Sequence, residues 1–125
     1  MDGLACPCGL GEDYGSCCGR FHAGAPVPTA ESLMRSRYSA FAVGDVSYLL
    51  RTWHPSARPR AFRLDPALRW TRLAVLQTRY GGLFDDTGTV QFRAMYIRAG
   101  QRGVLAETSR FVRQSRHWTY LGPID

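Results

Sequence analysis

Thr89-Val90-Gln91-Phe92-Arg93-Ala94-Met95-Tyr96-Ile97-Arg98 puts Val90, Phe92, Ala94 and Tyr96 at alternate positions, the period of a strand with one face buried. The flanking segments have the same character. Residues 70–80 read as a preceding strand, joined to it through Gly81-Gly82 and Asp85-Asp86-Thr87-Gly88, a cluster of turn-forming residues. Gly100 to Gly103 turns into a third strand over residues 104–114, and Ser115-Arg116 leads into a short fourth over residues 117–121. Four strands joined by short turns predict an antiparallel, strongly curved meander.

Upstream the period changes to that of helices. Thr29 is an N-cap for a helix running to about Val43, with Glu31 favouring its N-terminal dipole and Gly44 ending it. Met34, Tyr38 and Phe41 form its apolar face. Asp45 caps a second helix, on which Val46, Leu49, Leu50 and Trp53 make a core-facing stripe ended by His54-Pro55. The arginine-rich stretch 56–64 is loop, and Asp65-Pro66 reads as the start of one short helical turn. Helices followed by an antiparallel sheet specify the α+β class, in which helices cover one concave face and leave room for a pocket.

The N-terminal end is organised differently. Cys6-Pro7-Cys8 and Cys17-Cys18 hold all four cysteines of the chain. Two close pairs eight residues apart can surround one ion with four thiolates, as a closed tetrahedral zinc site requires. Gly9, Gly11, Gly15 and Gly19 supply backbone freedom for the fold-back, and His22 is a spare ligand or a donor behind the first shell. Four thiolates leave no open position for water, so the zinc is read as structural. Two disulfides and a redox-active cluster are the alternatives. Residues 1–24 are read as the knuckle, 25–28 as a stiff proline-bearing linker, and 29–125 as the α+β domain.

The pattern C-P-C-G-x-G-x-x-Y-x-x-C-C, with Tyr14 in place, resembles the SEC-C metal-binding motif of the SecA translocation ATPase, where it docks chaperone and ribosome. Here Leu10 replaces a small polar residue and Glu12-Asp13 a basic pair. Across the whole chain, Leu33-Met34-Arg35-Ser36-Arg37-Tyr38, Thr52-Trp53-His54-Pro55-Ser56 and Glu107-Thr108-Ser109-Arg110-Phe111 resemble the YchJ family. That resemblance implies an N-terminal SEC-C knuckle followed by a cone-shaped domain like nuclear transport factor 2, and it implies no reaction.

The chain has 125 residues and a net charge of +6, and all sixteen of its basic residues are arginine. Residues 29–125 carry fifteen arginines against seven acids, whereas residues 1–28 carry one against three. Four thiolates on one divalent zinc would lower the total to about +4, and the anionic knuckle could dock on its own basic body. No apolar run is long enough to span a membrane, and no signal sequence precedes the cysteines, so the expected location is the cytoplasm.

Chemistry outside the knuckle has few candidates. Arg37 shares a helical face with Met34 and Phe41, and Glu107 sits in mid-strand between Ala106 and Thr108, so an Arg37–Glu107 ion pair is the simplest expectation. His54 is a candidate general base. Arg35 points to the knuckle or to solvent, and Trp53, Trp70 and Trp118 are expected in the core. No P-loop, dinucleotide fingerprint, nucleophile elbow or H-E-x-x-H is present. The leading reading is a zinc-binding, non-catalytic module whose knuckle docks a macromolecular partner, a protein or a ribosome-like assembly. The alternatives are a small enzyme or small-molecule binder using Arg37, His54 and Glu107, and salt-dependent nucleic-acid binding by the arginine-rich body.

Overall fold

The computed structural model describes residues 4–124. One antiparallel sheet runs in the order β1 (Leu68–Tyr80), β2 (Thr87–Arg98), β3 (Gln101–Gln114), β4 (His117–Pro123). β3 begins three residues before its apolar alternation does, because the ladder continues through Ile97 opposite Arg102 and Arg98 opposite Gln101. Hydrogen bonding there needs no buried side chain. Two hairpins close on pairs of left-handed residues, Ala99 and Gly100 at φ 50° and 82°, and Ser115 and Arg116 at φ 51° and 69°. This is the type I′ geometry that matches the twist of paired strands.

The longer β1–β2 connection is fixed to the helical layer. Gly81 adopts φ 77°, and its carbonyl accepts the amide of Ala30 at 2.9 Å. A Cβ on Gly81 would lie 2.6 Å from the Ala30 Cβ, so only glycine permits this approach.

The helix expected after Thr29 is α2 (Ala30–Val43); in chain order it follows α1 (Cys18–His22) and a 3₁₀ turn at Tyr14–Ser16. Thr29 Oγ1 accepts the Ser32 amide at 3.0 Å, and Gly44, at φ 84°, ends the helix. Asp45 caps α3 (Val46–Arg51) by accepting the Tyr48 amide at 3.0 Å. Trp53, expected on that helix, lies beyond it. There the chain pairs with β4, the His54 amide donating to Tyr120 O and the Tyr120 amide to Thr52 O, each at 2.8 Å. The Asp65-Pro66 segment is a turn without a helix, held by the Leu68 amide on Asp65 O at 3.1 Å and the Ala67 amide on Asp65 Oδ1 at 2.9 Å.

One face of the sheet, through Leu73, Val90, Phe92, Ala94 and Phe111, is buried with Leu33, Met34 and Tyr38 of α2. The four cysteines belong to this same cluster. Of the glycines expected to fold the knuckle back, Gly9 and Gly11 take positive φ, 85° and 90°. Gly15 and Gly19 sit in helical turns instead, where Gly19 is needed for space: a Cβ there would come 2.6 Å from Tyr14 O.

Polar contacts lock the knuckle onto the helices. Arg35 Nη1 donates to Cys8 O at 3.0 Å while its Nε pairs with Glu31. Arg51 Nη2 donates to His22 O at 3.0 Å, satisfying a terminal carbonyl of α1. His22 Nε2 lies 2.8 Å from Ser36 O, and its Nδ1 meets the Tyr14 hydroxyl. A carbonyl only accepts, so Nε2 carries a proton and donates to Ser36 O.

Replacing Ser115-Arg116 by Asn-Gly relieves two non-glycine residues of left-handed strain and is expected to raise the unfolding free energy by about 1–2 kcal/mol, read by urea denaturation. His22→Ala leaves the Ser36 carbonyl without its donor and is expected to cost about 1–3 kcal/mol. Elemental analysis of the same variant should find its metal content unchanged.

Candidate metal centre

The knuckle turns its sulfurs inward. Ala5 bridges Asp13 and the Cys6 amide donates to Glu12 O at 2.8 Å, so the first cysteine pair lies on one arm of a tight loop. Cys17 and Cys18 lie at the start of α1 on the other side. All four side chains are buried, and their sulfurs lie within 4.8 Å of one another. Cys8 Sγ and Cys17 Sγ are 3.7 Å apart. A tetrahedral ion with metal–sulfur bonds of about 2.3 Å has edges of about 3.8 Å, so the set fits such an ion. The same spacing is far longer than a disulfide bond of about 2.05 Å, and all four thiols are free.

Electrostatics point the same way. The Cys8 thiol is held below its ordinary range, chiefly by hydrogen bonding from Cys18. That same bond is the main cause pushing Cys18 up, and burial pushes Cys17 up. Each thiolate makes its buried neighbours harder to ionise, so full ionisation of all four needs a positive ion at the centre. Ser39, on the buried side of α2, lies 3.5 Å from Cys6 Sγ and also bonds Cys18. Sequence reading missed Ser39. Its signal was a small hydroxyl side chain three residues after Ser36, on the helix side that must admit the sulfurs. His22 is not the spare ligand expected, because both ring nitrogens are engaged elsewhere.

A second site lies between α2 and the sheet. It is a cleft of about 150 Å3 whose lining includes Met34, Arg37, Phe41, Trp70, Phe92 and Glu107. Arg37, 6% exposed, donates from Nη1 to Leu49 O at 2.8 Å and Thr52 Oγ1 at 2.7 Å. Its guanidinium lies 4.9 Å from the Trp53 ring and 4.6 Å from that of Tyr120. Burial lowers its pKa to about 10, so it stays charged at neutral pH.

The direct Arg37–Glu107 ion pair expected from sequence does not form. Glu107 Oε2 instead accepts the hydroxyls of Tyr120, at 2.8 Å, and Ser109. Tyr120 therefore stands between the two charges, its ring facing one and its hydroxyl the other. Burial first, and then Glu107, raises the Tyr120 pKa, which keeps that hydroxyl a donor. Arg37 Nε and Nη2 make no hydrogen bond among the described residues. No buried side-chain nitrogen or oxygen there lacks a partner, so these two atoms retain access to the cleft that Arg37 lines.

His54 stands apart from this cleft. Its Nδ1 accepts the Ser56 amide at 3.1 Å and its Nε2 lies 3.0 Å from Gln114 Oε1, an arrangement that holds a loop on β3. Trp53 and Trp70 line the cleft, whereas Trp118 is buried and donates to Pro28 O at 3.2 Å.

Residues 29–123 match the family model described as the YchJ middle domain, like nuclear transport factor 2. A UPF0225 protein of Streptomyces coelicolor is 58% identical over 116 residues, covering 92% of this chain and 90% of its own. Another, of Corynebacterium glutamicum, is 50% identical over 125 residues, covering 98% and 99%. The solution structure of a SEC-C motif containing protein from Rhodopseudomonas palustris superposes with a TM-score of 0.83 at 30% identity, covering 98% of this chain and all of that one. A crystal structure of a SEC-C motif containing protein from Psychrobacter arcticus, at 24% identity, shares the fold with a TM-score of 0.81 over 98% of this chain and 82% of its own. With a family model over most of its length and relatives this similar over nearly all of it, the chain belongs to the YchJ family of UPF0225 proteins.

Proposed function

We propose that this protein is a zinc-dependent docking module, in which one structural zinc on Cys6, Cys8, Cys17 and Cys18 fixes a knuckle that binds a macromolecular partner. The observation that carries the metal assignment is the closed, buried set of four sulfurs with a tetrahedral edge of 3.7 Å. All-thiolate ligation suits zinc and leaves no coordination position for a substrate or reactive water. The docking role is supported by the outer rim of the knuckle. Leu4 and Leu10 are 59% and 56% exposed, and Glu12 and Asp13 beside them are also exposed. Exposed leucines and acids on one short loop suit a partner with apolar and basic surface.

Protein purified without added metal should contain one zinc per chain. Cys17→Ser with Cys18→Ser should lose it and expose the cluster shared with Leu33 and Met34, as judged by near-ultraviolet circular dichroism. Leu4→Asp with Leu10→Asp should keep the zinc and lose the proteins captured from cytosol by the parent chain. Zinc-free protein of unchanged fold would overturn the metal assignment, and identical captured sets would overturn the docking role.

A second reading, a small-molecule site, rests on the cleft. Arg37 keeps its Nε–H and Nη2–H edge for a planar acceptor such as a carboxylate, and the walls are aromatic. A volume of about 150 Å3 accommodates a single ring, as apolar cavities of that size do. Benzoate should quench the fluorescence of Trp53 and Trp70 with a Kd on the order of 1 mM, whereas neutral benzamide should bind more weakly. No saturable change with either would remove this reading.

A further inference from the structure

The face of the sheet turned away from α2 is open. Thr89, Gln91, Arg93, Met95 and Ile97 occupy the alternate positions of β2, opposite in direction to buried Val90, Phe92 and Ala94. The register sets Thr89 beside Arg79 and Arg110, Met95 beside Arg72, and Ile97 beside Arg69 and Arg102. Arg69, Arg72, Arg79, Arg93, Arg102 and Arg110 therefore share one face, and all six are exposed. Glu107 is the one carboxylate within the four strands, and it lines the cleft on the other face. Among the described residues none of the six arginines takes part in an ion pair, whereas Arg98 and Arg113 of the same strands pair with Asp65 and Asp86.

Unpaired guanidinium groups on one uncompensated face attract a polyanion. A second copy of the chain is disfavoured, since six positive charges would face six. Apart from Tyr80 at the end of β1, which is 82% exposed, the outward strand positions carry no Trp, Tyr or Phe, so along its length the face lacks the aromatic anchors of protein interfaces and the row of stacking platforms that splayed single strands need. Its length along β2, about 27 Å for eight residues, is that over which a duplex presents about sixteen phosphates. We propose that this face docks the phosphate backbone of a nucleic-acid duplex, without reading its base sequence.

The test is fluorescence anisotropy of the full zinc-loaded chain with labelled 20-base-pair duplexes of unrelated sequence, from 50 to 200 mM salt. Affinity should be the same for each sequence and should fall by about 10²–10³-fold over that range, as four to six phosphate contacts require. Arg72→Gln, Arg93→Gln and Arg102→Gln together should flatten the logarithmic salt slope by about three and weaken binding at least ~10-fold at 50 mM salt. Arg60→Gln, Arg63→Gln and Arg116→Gln, which remove the same charge away from this face, should leave the slope unchanged. Because the substituted side chains are exposed, melting curves of both triples should overlay the parent's. Absence of binding at 50 mM salt, equal loss in both triples, tighter binding of single strands than duplexes, or equal competition by polyglutamate or by anionic lipid vesicles would each overturn the proposal.

Discussion

Four thiols crowded beneath α2 are the constraint on which the N-terminal third depends. A loop this short cannot bury a core of its own, and four buried sulfurs cannot all ionise without a cation among them. Both requirements are met by the same placement. The sulfurs pack in one cluster with Leu33, Met34, Tyr38 and Leu73, so the candidate metal site and the main core share one packed unit. α2 is built for two neighbours: Ser36 and Ser39, both fully buried, give room and hydroxyls on one side, while Met34, Arg37 and Phe41 line the cleft on another.

Arginine is the chain's basic residue throughout, and its environments differ enough to separate its uses. Arg35 and Arg51 reach across to carbonyls of the knuckle, each guanidinium bridging segments that have no ladder between them. The planar, multiply donating group suits this in a way an ammonium would not. Arg37 is enclosed, and two aromatic faces with two acceptors on Nη1 take the place of its hydration. The six on the open sheet face are exposed and make no ion pair among the described residues. Net charge alone would not distinguish these groups.

The cleft shows how a buried charge can be held without a direct partner of opposite sign. A carboxylate in contact with Arg37 would consume its free edge. Tyr120 avoids this by lying between Arg37 and Glu107, so that both charges are stabilised and the guanidinium edge stays accessible. Membership of the YchJ family accounts for the architecture around this site. It assigns no reaction, because one cone-shaped fold carries unrelated sites.

Local signals in the sequence determined much. The alternation of Val90, Phe92, Ala94 and Tyr96 fixes a half-buried strand, Thr29 and Gly44 bound a helix, and four cysteines in two close pairs mark a metal-sized cluster, since each depends on residues near one another in the chain. Tertiary structure decided what depends on distant partners. Trp53 leaves the helical stripe because β4 pairs with the segment after α3, and His22 is taken from the ligand set by Tyr14 and Ser36. Glu107 turns to Tyr120 and Ser109 in place of Arg37. The open arginine face needed strand register as well as strand identity, because a shift of one residue would have exchanged it for the buried face. Periodicity tells which residues share a side, and only packing tells what that side meets.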